Sequence, residues 1–294
     1  LRWRWPTAAL SVALIVAGVF VTYQKGNDAL GVDFVGGDAL TLSYKQKVDV
    51  AKVRDALEAD VGKDNTIQYQ SGDQLQIKTE FEKGEKAYEV LTKTFPEAGF
   101  AKEQLERVGP TVGGELTRTA LISLAVAALG IMIYVSARFE FAYAVGALVA
   151  LLHDVLITLA LCIMSGRELT LTAIGALLTV GGYSLNDTIV VFDRIREEVR
   201  NKGDRMNFAD IINLSVNRVL GRTLLTSLTT LLACACLLIF ASGVINDFAF
   251  IMVVGVIAGT YSSVYIAAPI LLFWHPSHLK PQENVTATRA ELRV

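Results

Sequence analysis

Apolar positions along the chain gather into six long runs separated by polar breaks. Each run can cross a bilayer as a helix: about 6 to 23, 119 to 137, 141 to 164, 169 to 192, 217 to 241 and 247 to 273. The last five follow one another through short connections. Roughly 95 mostly hydrophilic residues separate the first from the second, too many for a connector inside a helical bundle, so this insert reads as a water-soluble domain.

Within the insert the period changes. A strand is predicted near ALTLSY (39 to 44), then a helix over VDVAKVRDALEADVG with Val50, Val53 and Leu57 on one stripe. Two alternating strands, TIQYQ and QLQIKT, flank the turn signal Ser71, Gly72 and Asp73. A second helix over about 83 to 95 stops before Pro96, and a strand around AKEQLERVG completes a β-α-β-β-α-β order. The fold class expected is a polytopic α-helical membrane protein with six transmembrane helices and a small α+β ferredoxin-like extracytoplasmic domain between helices 1 and 2. Its parts are residues 1–23 (N-terminal segment and first helix), 24–118 (the ferredoxin-like domain), 119–273 (helices 2 to 6) and 274–294 (a cytoplasmic tail).

Composition agrees with a bilayer, since 52% of the 294 residues are apolar and only 19% are charged. Basic residues in short loops set the orientation. Arg2 and Arg4 precede the first helix, Arg138 lies between the second and third, and Arg194, Arg196, Arg200, Lys202 and Arg205 crowd the loop after the fourth. The opposite loops hold Arg167 in one case and no Lys or Arg in the other, while the tail from His275 carries Lys280, Arg289 and Arg293. Both termini are therefore expected in the cytoplasm and the insert outside. A secretory signal would also begin with arginines before an apolar run, but five further spans and this charge pattern favour a retained first helix. Leu1 is not an initiator methionine, so the chain is expected to be trimmed or cut from a longer polypeptide. The insert counts 17 Asp plus Glu against 13 Lys plus Arg, so it presents no basic face for nucleic acid.

Chemistry is sparse in such a sequence. Cys162, Cys234 and Cys236 all fall in apolar helices, and two positions apart is the wrong spacing to share a helix face, so they read as packing residues. His153, His275 and His278 form no metal pattern, and neither a metal nor a cofactor is expected. Gly255 and Gly259, with Ser262 and Ser263 beyond, read as a helix-packing motif. The exceptional residue is Asp187, preceded by Asn186, near the middle of the stretch 179 to 200 that closes the fourth span. An Asp at the centre of a membrane helix costs about 2.5 to 3.5 kcal/mol, so it is expected to face a partner, the bundle interior or water. Thr172, Gly175, Thr179, Gly182 and Asn186 recur at spacings of three and four beside it, a stripe expected to be buried against other helices. In the fifth helix Arg222, Thr226, Thr229 and Ala233 recur similarly. The fourth helix leaves the membrane near Asp193, six residues past Asp187, and the fifth re-enters near Val216, six before Arg222, so both should sit about 9 Å inside the same boundary and make contact. One reading is a structural ion pair. The other is a proton site, because a proton crossing the membrane delivers about 2.3 kcal/mol per 100 mV. His153 and Asp154, near the middle of the third span, are either a relay or a hydrogen-bonded structural pair; adjacent residues point about 100° apart on a helix and need not act together. The run FDRIREEVR reads as an interfacial helix end with i,i+4 pairs.

Several of these stretches carry a family resemblance. GVDFVGGDAL (31 to 40), VGPTVGGEL (108 to 116), the His-Asp pair at 153 and 154, GYSLNDTIVVFDRIRE (182 to 197) and RTLLTS (222 to 227) resemble the SecF family, the smaller half of the SecD–SecF protein-translocation accessory complex. The resemblance runs in order through nearly the whole chain. It implies a bacterial inner-membrane subunit, distantly related to RND-type transporters, that works beside the SecYEG channel and uses the proton-motive force to help draw out secreted chains pushed in by SecA. It implies SecD as partner, separate or fused upstream, and roles in proton passage for Asp187, Asn186 and Arg222, with Thr226, His153 and Asp154 as further polar positions. Val35 and Asp38 stand where the family pattern more often has Thr, a departure expected to touch local packing alone. Half of a small-molecule exporter and a non-transporting membrane scaffold are the alternatives. An enzyme is not expected, because no nucleophile, base and orienting group converge in any motif.

Overall fold

The computed structural model describes residues 4–62, 65–70, 73–203 and 206–273. Arg2, Ser71, Gly72, Arg205, His275, His278 and the tail with Lys280, Arg289 and Arg293 lie outside the described residues. Six helices among the described residues are long and apolar enough to cross a membrane. These are α1 (Arg4–Lys25), α5 (Pro110–Arg138), α6 (Phe141–Met164), α7 (Leu171–Lys202), α8 (Phe208–Phe240) and α9 (Gly243–Ser262). Several outrun their apolar stretches: α5 begins at Pro110, a residue suited to a first helical position, and α7 carries the charged run as unbroken helix to Lys202. There Arg194 pairs with Glu197 at 2.7 Å, and Glu198, only 1% exposed, binds Arg194, Lys202 and Arg218. That end of the bundle is fastened by ion pairs.

The insert is a sheet domain. A short helix α2 (Val32–Val35) leads to β1 (Gly37–Ser43), α3 (Val50–Glu58), β2 (Thr66–Gln70), β3 (Gln74–Thr79), α4 (Gly84–Thr94) and β4 (Ala101–Val108). The strands lie in the order β2-β3-β1-β4, every neighbour antiparallel, which is the ferredoxin-like arrangement. Alternation decides the register: Leu40 pairs with Ile77 and Leu42 with Leu75, sending all four side chains into a core closed by Val53, Leu57 and Leu91 of the helices. Gly37 must be glycine, because its φ is +120° and a Cβ would lie 2.6 Å from Thr79 O.

Asp38 does more than local packing, contrary to the sequence expectation. Its fully buried carboxylate accepts from Arg107 Nε at 3.0 Å and from the backbone N–H of Gly84 at 2.9 Å, tying β1, β4 and the start of α4 together. A carboxylate belongs at that positive helix end.

In the bundle α6, α7 and α9 form the buried centre, with α1, α5 and α8 at the rim. Small residues let the central helices touch. A Cβ on Gly255 would lie 2.3 Å from Val180 Cγ2, and one on Gly259 would lie 2.8 Å from Ser184 Cβ, so the GxxxG face of α9 is packed on α7. Gly18 of α1 is likewise pressed against Ala160 of α6. After Ser262 the helix widens into a π turn, Ser263–Ala267, one turn ahead of Pro269, which removes an N–H from the ladder. Cys162 and Cys234 are buried free thiols, and Cys236 is exposed.

The joint between domain and bundle centres on the loop before α7. Gly31 N–H donates to Leu169 O at 2.7 Å and Leu169 N–H to Ala29 O at 2.9 Å. Asp33 accepts from the N–H of Leu171 at 2.7 Å, and Lys78 of β3 pairs with buried Glu168 at 2.8 Å while donating to Leu30 O. The first turn of α7 is thereby stitched to β3 and to the chain leaving α1.

Candidate functional site

Two carboxylates sit inside the bundle. Asp154 on α6 is completely buried, and its oxygens are saturated: His153 Nδ1 lies 2.9 Å from Oδ1, while Ser262 Oγ donates to Oδ2 at 2.8 Å and Ser184 Oγ donates to the same oxygen. His153 and Asp154 are hydrogen-bonded to each other, although they are adjacent on a helix, because the imidazole turns back to the neighbouring carboxylate. His153 Nε2 meets Ser11 Oγ at 2.9 Å and Tyr261 Oη at 2.7 Å. Four helices, α1, α6, α7 and α9, converge on this cluster.

Asp187 on α7 is 3% exposed and far less satisfied. Ser227 Oγ of α8 donates to Oδ2 at 3.4 Å, and Thr260 Oγ1 of α9 lies 2.7 Å from Ser227 Oγ. Elsewhere on α7 and α8 the hydroxyls of Tyr183 and Thr223 are buried without a hydrogen-bond partner among the described residues. Buried polar groups are normally paired, so each exception calls for an explanation.

The expected contact between Asp187 and Arg222 is not made. No Lys or Arg among the described residues stands within 4 Å of Asp187, and Arg222 acts on it only through space. The reason is helical phase. Arg222 precedes Ser227 by five residues, about 140° around the helix, so a helix that presents Ser227 to α7 turns Arg222 outward. The predicted burial of the small stripe is also corrected: Thr172, Gly175, Thr179, Gly182 and Asn186 are all exposed. The buried face of α7 lies one position on, through Ala173, Leu177, Val180, Ser184 and Asp187. Arg222, Thr226, Thr229 and Ala233 are exposed on α8 as well, and Thr226 spends its hydroxyl on the backbone carbonyls of Arg222 and Thr223. Two polar stripes therefore face outward at membrane depth.

Ser184, Ser227, Ser11 and Tyr261 were not marked by spacing alone. Hydroxyls in apolar helices are common, and only packing reveals which of them find a carboxylate. Ser262 carried a signal, as it extends the GxxxG row, but that row reads as packing until Asp154 is seen beside it.

Residues 87–277 match the family described as protein export membrane protein SecD/SecF, C-terminal. The chain is 40% identical over 272 residues to the protein translocase subunit SecF of Calditerrivibrio nitroreducens, covering 89% of each, and 40% identical to that of Thermodesulfovibrio yellowstonii, covering 92% of each. Its fold resembles the crystal structure of SecDF, a translocon-associated membrane protein from Thermus thermophilus, with a TM-score of 0.84 and 34% identity over 92% of this chain. A SecDF structure in a Super-membrane-facing form matches with a TM-score of 0.68 over 93%. The chain spans 38% of the length of each of these SecDF chains. A six-helix bundle around buried carboxylates, a ferredoxin-like insert and these matches lead to one assignment: the chain belongs to the SecF family of protein translocase subunits.

Proposed function

We propose that this chain works with SecD in the bacterial inner membrane as a proton-driven subunit that assists protein export, with both termini cytoplasmic and the sheet domain outside. The relatives are protein translocase subunits, and the related solved chains join SecD to SecF. The observation that carries the proton reading is Asp187: a buried carboxylate with one long hydrogen bond can change its protonation without dismantling a network. The exposed arginine and polar stripes support a membrane partner. Arg222 at that depth is costly against lipid and needs a counter-surface, which a SecD helix would supply.

Coupling runs along α7. A proton arriving at Asp187 changes its hold on Ser227 and its attraction to Arg222, shifting α7 against α8. The loop that leads into α7 is bound to β3 through Glu168 and Lys78, so the shift is passed to the sheet domain, where it acts on the polypeptide leaving SecYEG after SecA has delivered it. The subunit performs no enzymatic step in this reading.

The test is export into vesicles holding SecYEG, SecA and the SecD-bound chain under an imposed proton gradient. Asp187→Asn and Arg222→Met are expected to abolish the stimulation by the gradient, a loss of about tenfold or more, with assembly unchanged. Equal stimulation in both variants would sink the proton reading and favour a scaffold.

A further inference from the structure

His153 is a buried titratable group that the Asp187 cycle leaves unused, and its two nitrogens face different chemistry. Nδ1 is bound to Asp154 Oδ1 at 2.9 Å, and that carboxylate is fixed by the hydroxyls of Ser184 and Ser262. Nε2 faces only hydroxyls, Ser11 Oγ at 2.9 Å and Tyr261 Oη at 2.7 Å, which are themselves 2.6 Å apart. A hydroxyl can donate or accept. A neutral ring therefore accepts at Nε2 and an imidazolium donates there, with every heavy atom in place.

The charges around the ring suit an added proton. Asp154 of its own helix and Tyr261 of α9 are the titratable groups that face it; α1 contributes Ser11 and α7 contributes Ser184, and no Lys or Arg among the described residues bonds to the cluster. A buried imidazolium needs an adjacent counter-charge, and Asp154 provides it.

Access comes from the α8–α9 side. A groove of about 670 Å³ there is lined by Asn213, Asn217, Ser227, Thr260, Tyr261 and Tyr265 among leucines and valines. Ser227 leads to Asp187 and Tyr261 leads to His153, so one groove touches both buried carboxylate systems.

We propose that His153 is a second proton-binding site of the bundle, loaded from the α8–α9 groove through Tyr261 and held by Asp154. Tyr261 gives its phenolic proton to Nε2 while a water in the groove returns one to the phenol oxygen; the net change is one proton moved from groove to ring. This rests on reading the bundle as a proton carrier, but it is tested separately.

The experiment is nitrogen NMR of the imidazole in the full chain in lipid vesicles, carrying His275→Gln and His278→Gln so that His153 is the sole histidine. The ring is expected to show both its neutral and its protonated form as the vesicle pH is varied from about 4 to about 9. Tyr261→Phe, which keeps the ring volume, is expected to slow proton exchange between imidazole and water by about tenfold or more. Asp154→Asn, which removes the counter-charge, is expected to reduce the protonated imidazole signal. An imidazole locked in one protonation state across that range overturns the site, and unchanged exchange in Tyr261→Phe overturns the route. Repeating the titration in Asp187→Asn separates the two readings: a titrating ring beside intact gradient coupling removes Asp187 alone, and a locked ring beside lost coupling removes His153 alone.

Discussion

Asp154 and Asp187 are both almost wholly buried within one bundle, yet they are built as opposites. Asp154 is gripped by an imidazole and two serine hydroxyls from three helices, whereas Asp187 has one 3.4 Å bond. A saturated carboxylate resists change because every alternative leaves donors without acceptors. An unsaturated one costs stability and retains freedom to exchange a proton or a partner. The difference teaches that a buried acid must be judged by what surrounds it, since Asp154 reads as the anchor and Asp187 as the movable group.

The largest expected effect that sharpens this contrast is on Asp154. Asp154→Leu strands His153 and two serines and is expected to cost about 3 to 5 kcal/mol in thermal unfolding in lipid, whereas Asp187→Asn should cost about 1 kcal/mol or less. Similar losses at the two positions would erase the distinction. Next, Gly255→Val forces α9 away from Val180, with an expected loss of about 1 to 3 kcal/mol. A neutral result would mean the α7–α9 contact, which carries Ser184 and Thr260 to the two sites, is looser than the packing implies. Smaller still, Ser184→Ala should cost about 0.6 to 1.7 kcal/mol, and Ser227→Ala should fall below that range because its bond is long.

The smallest effect is a pH dependence at the joint. Burial pushes the Glu168 carboxyl above its ordinary value, and Lys78 pulls it only partly back; Asp247 and Asp28 add to the rise. The folded chain therefore holds this proton more tightly than the unfolded chain. The stability it contributes is fully present below the unfolded value and is lost as pH rises through the raised folded value. Acidification from neutrality is expected to raise the melting temperature of the parental chain relative to Glu168→Gln, and parallel profiles for the two would remove Glu168 from the joint's titration.

The sheet domain was legible almost to the residue. TIQYQ and QLQIKT form strands over the predicted residues, and the helix that follows them stops before Pro96 as the sequence predicts, because alternation and turn residues are local signals. Membrane helix starts were less legible, since α5 begins at Pro110, well ahead of its apolar run, whereas the charged run that ends α7 reads as helix from its i,i+4 pairs and is helix to Lys202. The stripe beside Asp187 was found but assigned to the wrong environment, because small and polar residues mark a protein contact without saying whether it is made within this chain or by another.

What the sequence by itself determined is the set of elements, their order, and the identity of Asp187 as a residue that lipid would reject. These depend on periodicity and on transfer energies that each segment carries alone. Only the tertiary structure decided which hydroxyls meet which carboxylate. A rotation of one residue, about 100° of helix, separates Asp187 turned toward Ser227 from Asn186 turned outward. That phase is fixed by the packing of Gly255 and Gly259 on Val180 and Ser184, far away in sequence from the charges they align.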